Sequence, residues 1–176
     1  MLNDMSRMTG KIIRPAPAEI EFKNMRFLIT EQPQDITMEN YIKILTEHKV
    51  SHLVCATDPT YKTDELVRSG VSVSELSFPD GSPPNPDIID KWLSLVHKEF
   101  TDDPDTCVGV HCVTGLGRAP VLVALALIEL GMKYEDAVEL IRKKRRGAIN
   151  TKQLEFLDKY KRKKYFLKGK NKCQIQ

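Results

Sequence analysis

The sequence predicts an α/β domain in which a central, mostly parallel sheet is flanked by helices. Short β-rich runs alternate with amphipathic helical stretches through most of the 176 residues, the pattern of a layered domain with parallel strands. One helical stretch, Arg118–Leu130, is apolar almost all round, which places it in an interior. The length favours one domain, and a chain of this size buries roughly two-thirds of its unfolded surface. We expect an N-terminal segment over 1–18, a folded domain over 19–165 and a basic tail over 166–176.

The elements follow in order. Residues 1–18 are polar and end in Arg14-Pro-Ala-Pro17, a loosely held segment. Glu19–Phe22 and Arg26–Ile29 are short strands joined by a tight turn at Lys23-Asn24. Met38, Tyr41, Ile42 and Leu45 give Thr37–His48 the spacing of an amphipathic helix, with Thr37 as N-cap. Val50–Ala56 is a strand, Thr63–Ser69 a short helix closed by Gly70, and Val71–Leu76 another strand. Phe78–Pro86 holds four prolines and a glycine and is a loop. Asp87–Phe100 is a helix with Ile88, Ile89, Trp92, Leu95 and Val96 on its apolar side. Thr106–Val110 is a strand with Cys107 inside it as inert core, and Gly131 stops the apolar helix. Tyr134–Lys144 opens on acids and ends in Arg142-Lys-Lys-Arg-Arg146, matching the helix dipole at both ends, with Gly147 as C-cap. Asn150-Thr-Lys-Gln153 resembles a capping box for a last helix reaching about Tyr165. Lys168–Gln176 lacks periodicity and reads as a flexible tail.

Composition narrows the function classes. Hydrophobic residues make up 41% and charged residues 29%, as in a soluble globular protein. No apolar run reaches the ~18–20 residues of a membrane span, and the first residues lack the pattern of a signal peptide. The cysteines, Cys55, Cys107, Cys112 and Cys173, form no C-x-x-C pair, so no zinc site is expected; the expected chemistry calls for no other metal and no cofactor. The net charge of +3 hides an asymmetry: Arg142 to Lys172 carries fourteen Lys/Arg against two acids. A basic end on an acidic body calls for an anionic partner surface.

The chemistry concentrates in Val110-His-Cys-Val-Thr-Gly-Leu-Gly-Arg-Ala-Pro120. A cysteine ends a strand, and an arginine six positions later opens a helix. Between them Val113, Thr114, Gly115, Leu116 and Gly117 can curl so that their N–H groups share one concavity, with Gly115 and Gly117 free to take positive φ. A nest of donors at a helix N-terminus is a phosphate site. The same field favours the Cys112 thiolate, since thiols so placed have pKa values of ~3.5–7.5. Arg118 can grip two phosphate oxygens through its planar fork. His111 then orients the loop rather than acting as a base. The absence of G-x-x-x-x-G-K-[ST] excludes a P-loop NTPase. A rhodanese-like sulfur transferase is the alternative cysteine-loop chemistry. Phosphoryl transfer to Cys112 would also need a proton donor, and Asp80, on the proline-flanked loop, is the candidate general acid. Asp58 and Asp87 are alternatives of types more often found in turns and helix caps.

These residues resemble the His-Cys-x5-Arg signature of the protein tyrosine phosphatase superfamily. Asn24-Met-Arg-Phe-Leu-Ile-Thr30, Trp92-Leu-Ser-Leu95, Gly115–Glu129, Lys133-Tyr-Glu-Asp-Ala137 and Lys144-Arg-Arg-Gly-Ala148 extend the match to the phosphatase of regenerating liver (PRL) family, from about Pro15 onward. The resemblance implies a cysteine-dependent, dual-specificity-phosphatase-like fold. It also implies a membrane-associated phosphatase acting through a cysteinyl-phosphate on a phosphorylated protein or a phosphoinositide. Cys112 would be the nucleophile, Asp80 the acid and Arg118 the phosphate ligand. Pro79 stands where the family usually has an acidic residue, a departure that bears on loop closure. Ala119 replaces the Ser or Thr that helps the thiolate leave in many related phosphatases, so turnover should be slow. The family further implies a reversible disulfide between Cys55 and Cys112, and homotrimers at membranes. Its association with CNNM magnesium-transport proteins, bound through the catalytic pocket, makes a binding regulator the alternative function.

Cys173-Gln-Ile-Gln176 fits the C-a-a-X pattern for farnesylation, with the methylation that accompanies prenylation. One prenyl chain anchors weakly, so a second signal is expected. Lys161-Arg-Lys-Lys164 with Lys168, Lys170 and Lys172 supplies it, at about 1 kcal/mol per charge near an anionic leaflet. We therefore expect the cytoplasmic face of the plasma membrane and endosomes, or the cytoplasm or nucleus without the prenyl group. The basic run lacks interleaved stacking aromatics, and no nucleic-acid partner is expected.

Overall fold

Lys23 and Asn24 both adopt left-handed backbone, φ 47° and 67°, which supplies the twist a two-residue hairpin turn needs. The turn joins β1 (Ala18–Phe22) to β2 (Met25–Thr30) as an antiparallel pair, with Ala18 opposite Ile29. The structure, a computed structural model, describes residues 16–168. Every other ladder is parallel: β2 with β5 (Cys107–His111), β5 with β3 (Val50–Cys55) and β3 with β4 (Ser72–Glu75). The strand order is β1-β2-β5-β3-β4, so the sheet is mixed but mostly parallel, as predicted. All of β5 is buried, because a central parallel strand is covered on both faces.

Seven helices lie among the described residues: α1 (Met38–Glu47), α2 (Asp64–Arg68), α3 (Pro86–Asp102), α4 (Arg118–Glu129), α5 (Tyr134–Lys144), α6 (Thr151–Lys159) and α7 (Tyr165–Lys168). All twelve residues of α4 are buried, which matches the apolar stretch in the sequence. Beside it Phe27 packs against Trp92 and Phe100 at 6.0 and 5.6 Å between ring centroids. Trp92 Nε1 donates to Leu122 O at 2.6 Å, satisfying the one polar atom of that ring. On the opposite face, α1 and α2 bury Tyr41, Leu45 and Leu66 against Leu28 and Leu53. Each such large apolar side chain contributes ~1.5–3 kcal/mol on leaving water.

Several local expectations are corrected. Thr37 precedes α1, but its hydroxyl donates to Gln34 O within a short 3-10 turn (Asp35–Thr37) and caps no α-helical amide. Asn85, not Asp87, caps α3, accepting from Ile88 N, while Asp87 pairs with Lys91 on the surface. Cys107 opens β5 rather than lying inside it. The residue capping α5 is Arg145, two positions before Gly147. Residue 16 is also not loose, since Ala16 O accepts from Arg145 Nη1 at 2.7 Å.

The largest departure is the last helix, which stops at Lys159 instead of running to Tyr165. Glu129, fully buried at the end of α4, is the cause. It accepts from Tyr160 Oη at 2.7 Å, Lys163 N at 2.7 Å and Tyr165 N at 3.0 Å. A continuous helix would commit those two amides to its own carbonyls and leave a buried carboxylate unpaired, the costlier outcome. The chain bends around Glu129 and resumes as α7. Arg162 is held by Glu129 O and Lys163 by Asp90, so part of the supposed free basic run is tied inward while Lys161 and Lys164 stay exposed. Cys173, Lys170 and Lys172 lie outside the described residues. No described helix is long and apolar enough to cross a membrane.

Candidate active site

β5 ends at His111, and Cys112 follows at its carboxyl end, 2% exposed, below the loop that leads into α4. What shapes this loop is where its carbonyls go, since each buried carbonyl needs a donor. Val113 O accepts from Gln32 N (3.1 Å), Leu116 O from Ile149 N (2.8 Å) and Gly117 O from Val121 N (3.2 Å). Thr114 O and Gly115 O accept from Arg145 Nη2 (2.8 Å) and Nε (3.0 Å). All five carbonyls from 113 to 117 are thus engaged by neighbouring donors. With its carbonyls held outward, the loop has its N–H groups left for an anion cradle at the N-terminus of α4, apart from Leu116 N, which donates to Thr114 Oγ1 at 3.3 Å.

Gly115 has φ +71°, and a Cβ there would meet Arg145 Nη2 at 2.4 Å and Thr30 O at 2.6 Å, so no other residue fits. Gly117 differs from expectation: its φ is −120°. Space, not handedness, is the constraint there, because a Cβ would lie 3.3 Å from Gln153 Nε2.

Arg118, Ala119 and Pro120 form the first turn of α4. Arg118 Nη1 donates to Phe78 O at 3.2 Å, which ties the proline-rich loop to the cradle. Its Nε lies 3.6 Å from Asp80 Oδ1, too far for a hydrogen bond. Asp80 is 85% exposed on its side chain and overhangs the site. Asp58 and Asp87 are exposed surface residues, and Asp87 pairs with Lys91 on α3. Two buried donors on the loop's helix side have no acceptor among the described residues: Arg118 Nε and Gln153 Nε2. The Gln153 amide is oriented, because its Oε1 accepts from Asn150 N at 3.1 Å, leaving Nε2 against Gly117. Buried donors without a hydrogen bond cost ~1–3 kcal/mol each, and a phosphoryl oxygen is an acceptor of the kind both require.

A hydrogen-bonded row supports the cysteine from behind. Burial pulls His111 down to about 4, so its ring is neutral near pH 7. His111 Nδ1 donates to Cys112 O at 3.3 Å, and Nε2 accepts from Tyr61 Oη at 2.6 Å. Cys55 Sγ, 3.3 Å from Tyr61 Oη, completes the row as donor. Burial pushes the Cys55 thiol up to about 11 and Cys107 up to about 12. Burial also lowers Arg145. No cluster of metal-ligating side chains was found among the described residues.

Cys112 thus stands at one end of the 113–117 loop and Arg118 at the other, where Arg118 meets Asp80 and the Phe78 carbonyl. Sequence reasoning missed Arg145, Gln153 and Tyr61. Arg145 was grouped with the solvated basic run, although Ala137, Ile141 and Arg145 continue one buried stripe at four-residue spacing. Gln153 and Leu157 show the same spacing on α6.

Residues 23–158 match the model of the "Swiss Army Knife" DSP-PTPase phosphatase domain. The chain is 54% identical to the PRL-1 phosphatase of Drosophila melanogaster over 172 residues, covering 96% of this chain and 98% of that protein. It is 51% identical to protein tyrosine phosphatase type IVA 3 of Homo sapiens over 159 residues, covering 90% of each. A solved protein tyrosine phosphatase structure from Leishmania major superposes with TM-score 0.75 at 40% identity, over 83% of this chain and 99% of that one. With an anion cradle, a buried cysteine and an arginine assembled as such a domain requires, the chain belongs to the PRL, or type IVA, family of protein tyrosine phosphatases, of the dual-specificity type.

Proposed function

We propose that the chain hydrolyses phosphomonoesters in two steps, through phosphate held covalently on Cys112. A cysteine at the foot of a loop whose every carbonyl is engaged, with Arg118 Nε beside Asp80 and Gln153 Nε2 free of hydrogen bonds, carries this reading. Cys112 Sγ attacks phosphorus as the thiolate, the bond to the leaving oxygen breaks, and the Asp80 carboxyl delivers a proton to that oxygen. Arg118 and the amide cradle hold the phosphoryl oxygens as charge builds on them. Water then attacks the cysteinyl-phosphate, Asp80 takes its proton, and Gln153 Nε2 holds an oxygen of the phosphoryl group or of that water. Ala119, fully buried at the cradle edge, offers the departing thiolate no hydroxyl, so the second step is slow.

Brief exposure to an aryl phosphate followed by mass spectrometry tests the scheme. Phosphate should reside on Cys112 and outlast the product burst, and Ala119→Ser should shorten its life. Linear product release with unmodified Cys112 would contradict it.

The rim favours a protein over a small lipid headgroup, since Val113, an apolar side chain on the catalytic loop, is 54% exposed. The same rim suits a second role, in which the cradle docks an acidic loop of a CNNM-type magnesium-transport protein. Cys112→Asp, which places a carboxylate in the cradle, should abolish that binding together with activity.

We also carry over the family's redox and membrane behaviour. Cys55 lies opposite His111 in the β3–β5 ladder, one residue from Cys112. Peroxide would convert the Cys112 thiolate to sulfenic acid, and the Cys55 thiol would displace water to form the disulfide. A thiol-sensitive mobility shift lost in Cys55→Ser tests this. Farnesylated Cys173 with the basic tail would tether the chain to the cytoplasmic face of the plasma membrane or endosomes, where trimers form. Cys173→Ser should release it to the soluble fraction.

A further inference from the structure

Away from the catalytic loop, side chains from three elements meet in a row. Ser74 Oγ on β4 lies 2.7 Å from His52 Nε2 on β3, and His52 Nδ1 lies 2.9 Å from Glu99 Oε1 on α3. A carboxylate accepts, so Nδ1 carries the hydrogen, and in the neutral imidazole Nε2 then presents its lone pair to the serine hydroxyl. Glu99 is itself oriented, since Oε2 accepts from Ser51 Oγ at 3.4 Å and Ser51 in turn meets the Thr106 hydroxyl. The His52 and Glu99 side chains are 12% and 20% exposed, shielded without being sealed, and Ser74 is partly exposed.

Two further features bear on reactivity. His52 and Glu99 border an open groove of about 590 Å³ whose apolar lining includes Leu95 and Tyr165. β4 is the last strand of the sheet. Leu76 N bonds Cys55 O, so by strand alternation the Ser74 N–H also faces β3 and the Glu75 N–H faces the open edge. A backbone donor directly after a nucleophile is of the kind that receives an oxyanion.

We propose that Ser74, His52 and Glu99 form a second, serine-based site that hydrolyses carboxylic esters, independently of Cys112. Ser74 Oγ attacks the acyl carbon while its proton passes to His52 Nε2. The ester C–O bond breaks, and the leaving alkoxide takes that proton. Water, deprotonated by His52, then attacks the acyl-serine, releases the carboxylic acid and restores the hydroxyl. Glu99 holds the tautomer and balances the imidazolium charge.

The experiment uses the full chain with Cys112→Ser, so that the catalytic thiol contributes no ester chemistry. A fluorophosphonate probe should label Ser74, read by peptide mass spectrometry. Hydrolysis of p-nitrophenyl butyrate should exceed the buffer rate and fall at least ~10²-fold in Ser74→Ala and His52→Gln, a cautious figure against the ~10⁴ seen for established triads. In the Cys112 background, Ser74→Ala should turn over an aryl phosphate at the parent rate, which reports that the fold is intact. A purely structural clamp between α3 and the sheet edge predicts an unlabelled Ser74. That result, or ester hydrolysis unmoved by Ser74→Ala, overturns the proposal.

Discussion

Replacing Arg145 by methionine tests whether the catalytic loop is held in shape from outside. The guanidinium gives one bond each to Thr114 O, Gly115 O and Ala16 O, at 2.7–3.0 Å. Bonds from a charged donor are worth ~1.5–3 kcal/mol apiece, and the desolvation of a buried arginine offsets part of that. The net loss should be about 3–4 kcal/mol, short of the ~5–15 kcal/mol that holds an ordinary domain folded. The catalytic loss should be larger in proportion. With two carbonyls released, their lone pairs can turn into the cradle in place of its N–H groups and oppose a phosphate, and losing one amide donor to the oxyanion costs ~10²–10³ in rate. Urea denaturation measures the first effect, and burst amplitude with an aryl phosphate, alongside inorganic phosphate affinity, measures the second. Arg145→Lys keeps the charge but not the fork, and should recover less than half of the stability. A folded Arg145→Met protein with parental phosphate affinity and burst would refute the claim that this side chain shapes the cradle.

Other outcomes follow from the same geometry. His111 is depressed from 6.5 to about 4 by burial, so between those values the unfolded chain binds the extra proton. Stability should therefore rise with pH through that window and be lost as pH falls below about 6.5, by roughly 3 kcal/mol in all. Acid titration of the unfolding midpoint checks this, and His111→Gln should flatten the slope. Asp80→Ala should leave stability unchanged, since its own side chain is 85% exposed and lies 3.6 Å from Arg118 without a hydrogen bond. It should cut kcat/KM on alkyl phosphates ~10²–10⁴-fold, and less on aryl phosphates whose leaving groups need no proton. Glu129→Ala leaves the Lys163 and Tyr165 amides without their acceptor. Hydrogen exchange at those two amides should accelerate at least ~10-fold, equivalent to about 1.4 kcal/mol, while the catalytic loop keeps its protection.

The parts readable from sequence are those whose chemistry is contiguous. Cys112 to Arg118 span seven residues, and a strand end, a flexible turn and a helix start are enough to bring them together. Binary pattern also placed α4 in the interior, because a helix with no polar face has nowhere else to go. Gly117 shows where local reasoning misled: a glycine in a loop suggests a positive φ, whereas here the crowding by Gln153 is what excludes a side chain.

Sequence alone therefore determined the strand–helix alternation, the hairpin and the Cys112–Arg118 loop, since each depends on near neighbours and on period. The tertiary structure decided that Asp80 overhangs Arg118, that Arg145 and Gln153 serve the cradle, and that Glu129 interrupts the last helix. A basic or amide side chain looks the same in a string whether water or a buried carbonyl will be its partner. Only the packed chain, by removing the water, settles which of them must be satisfied within the protein.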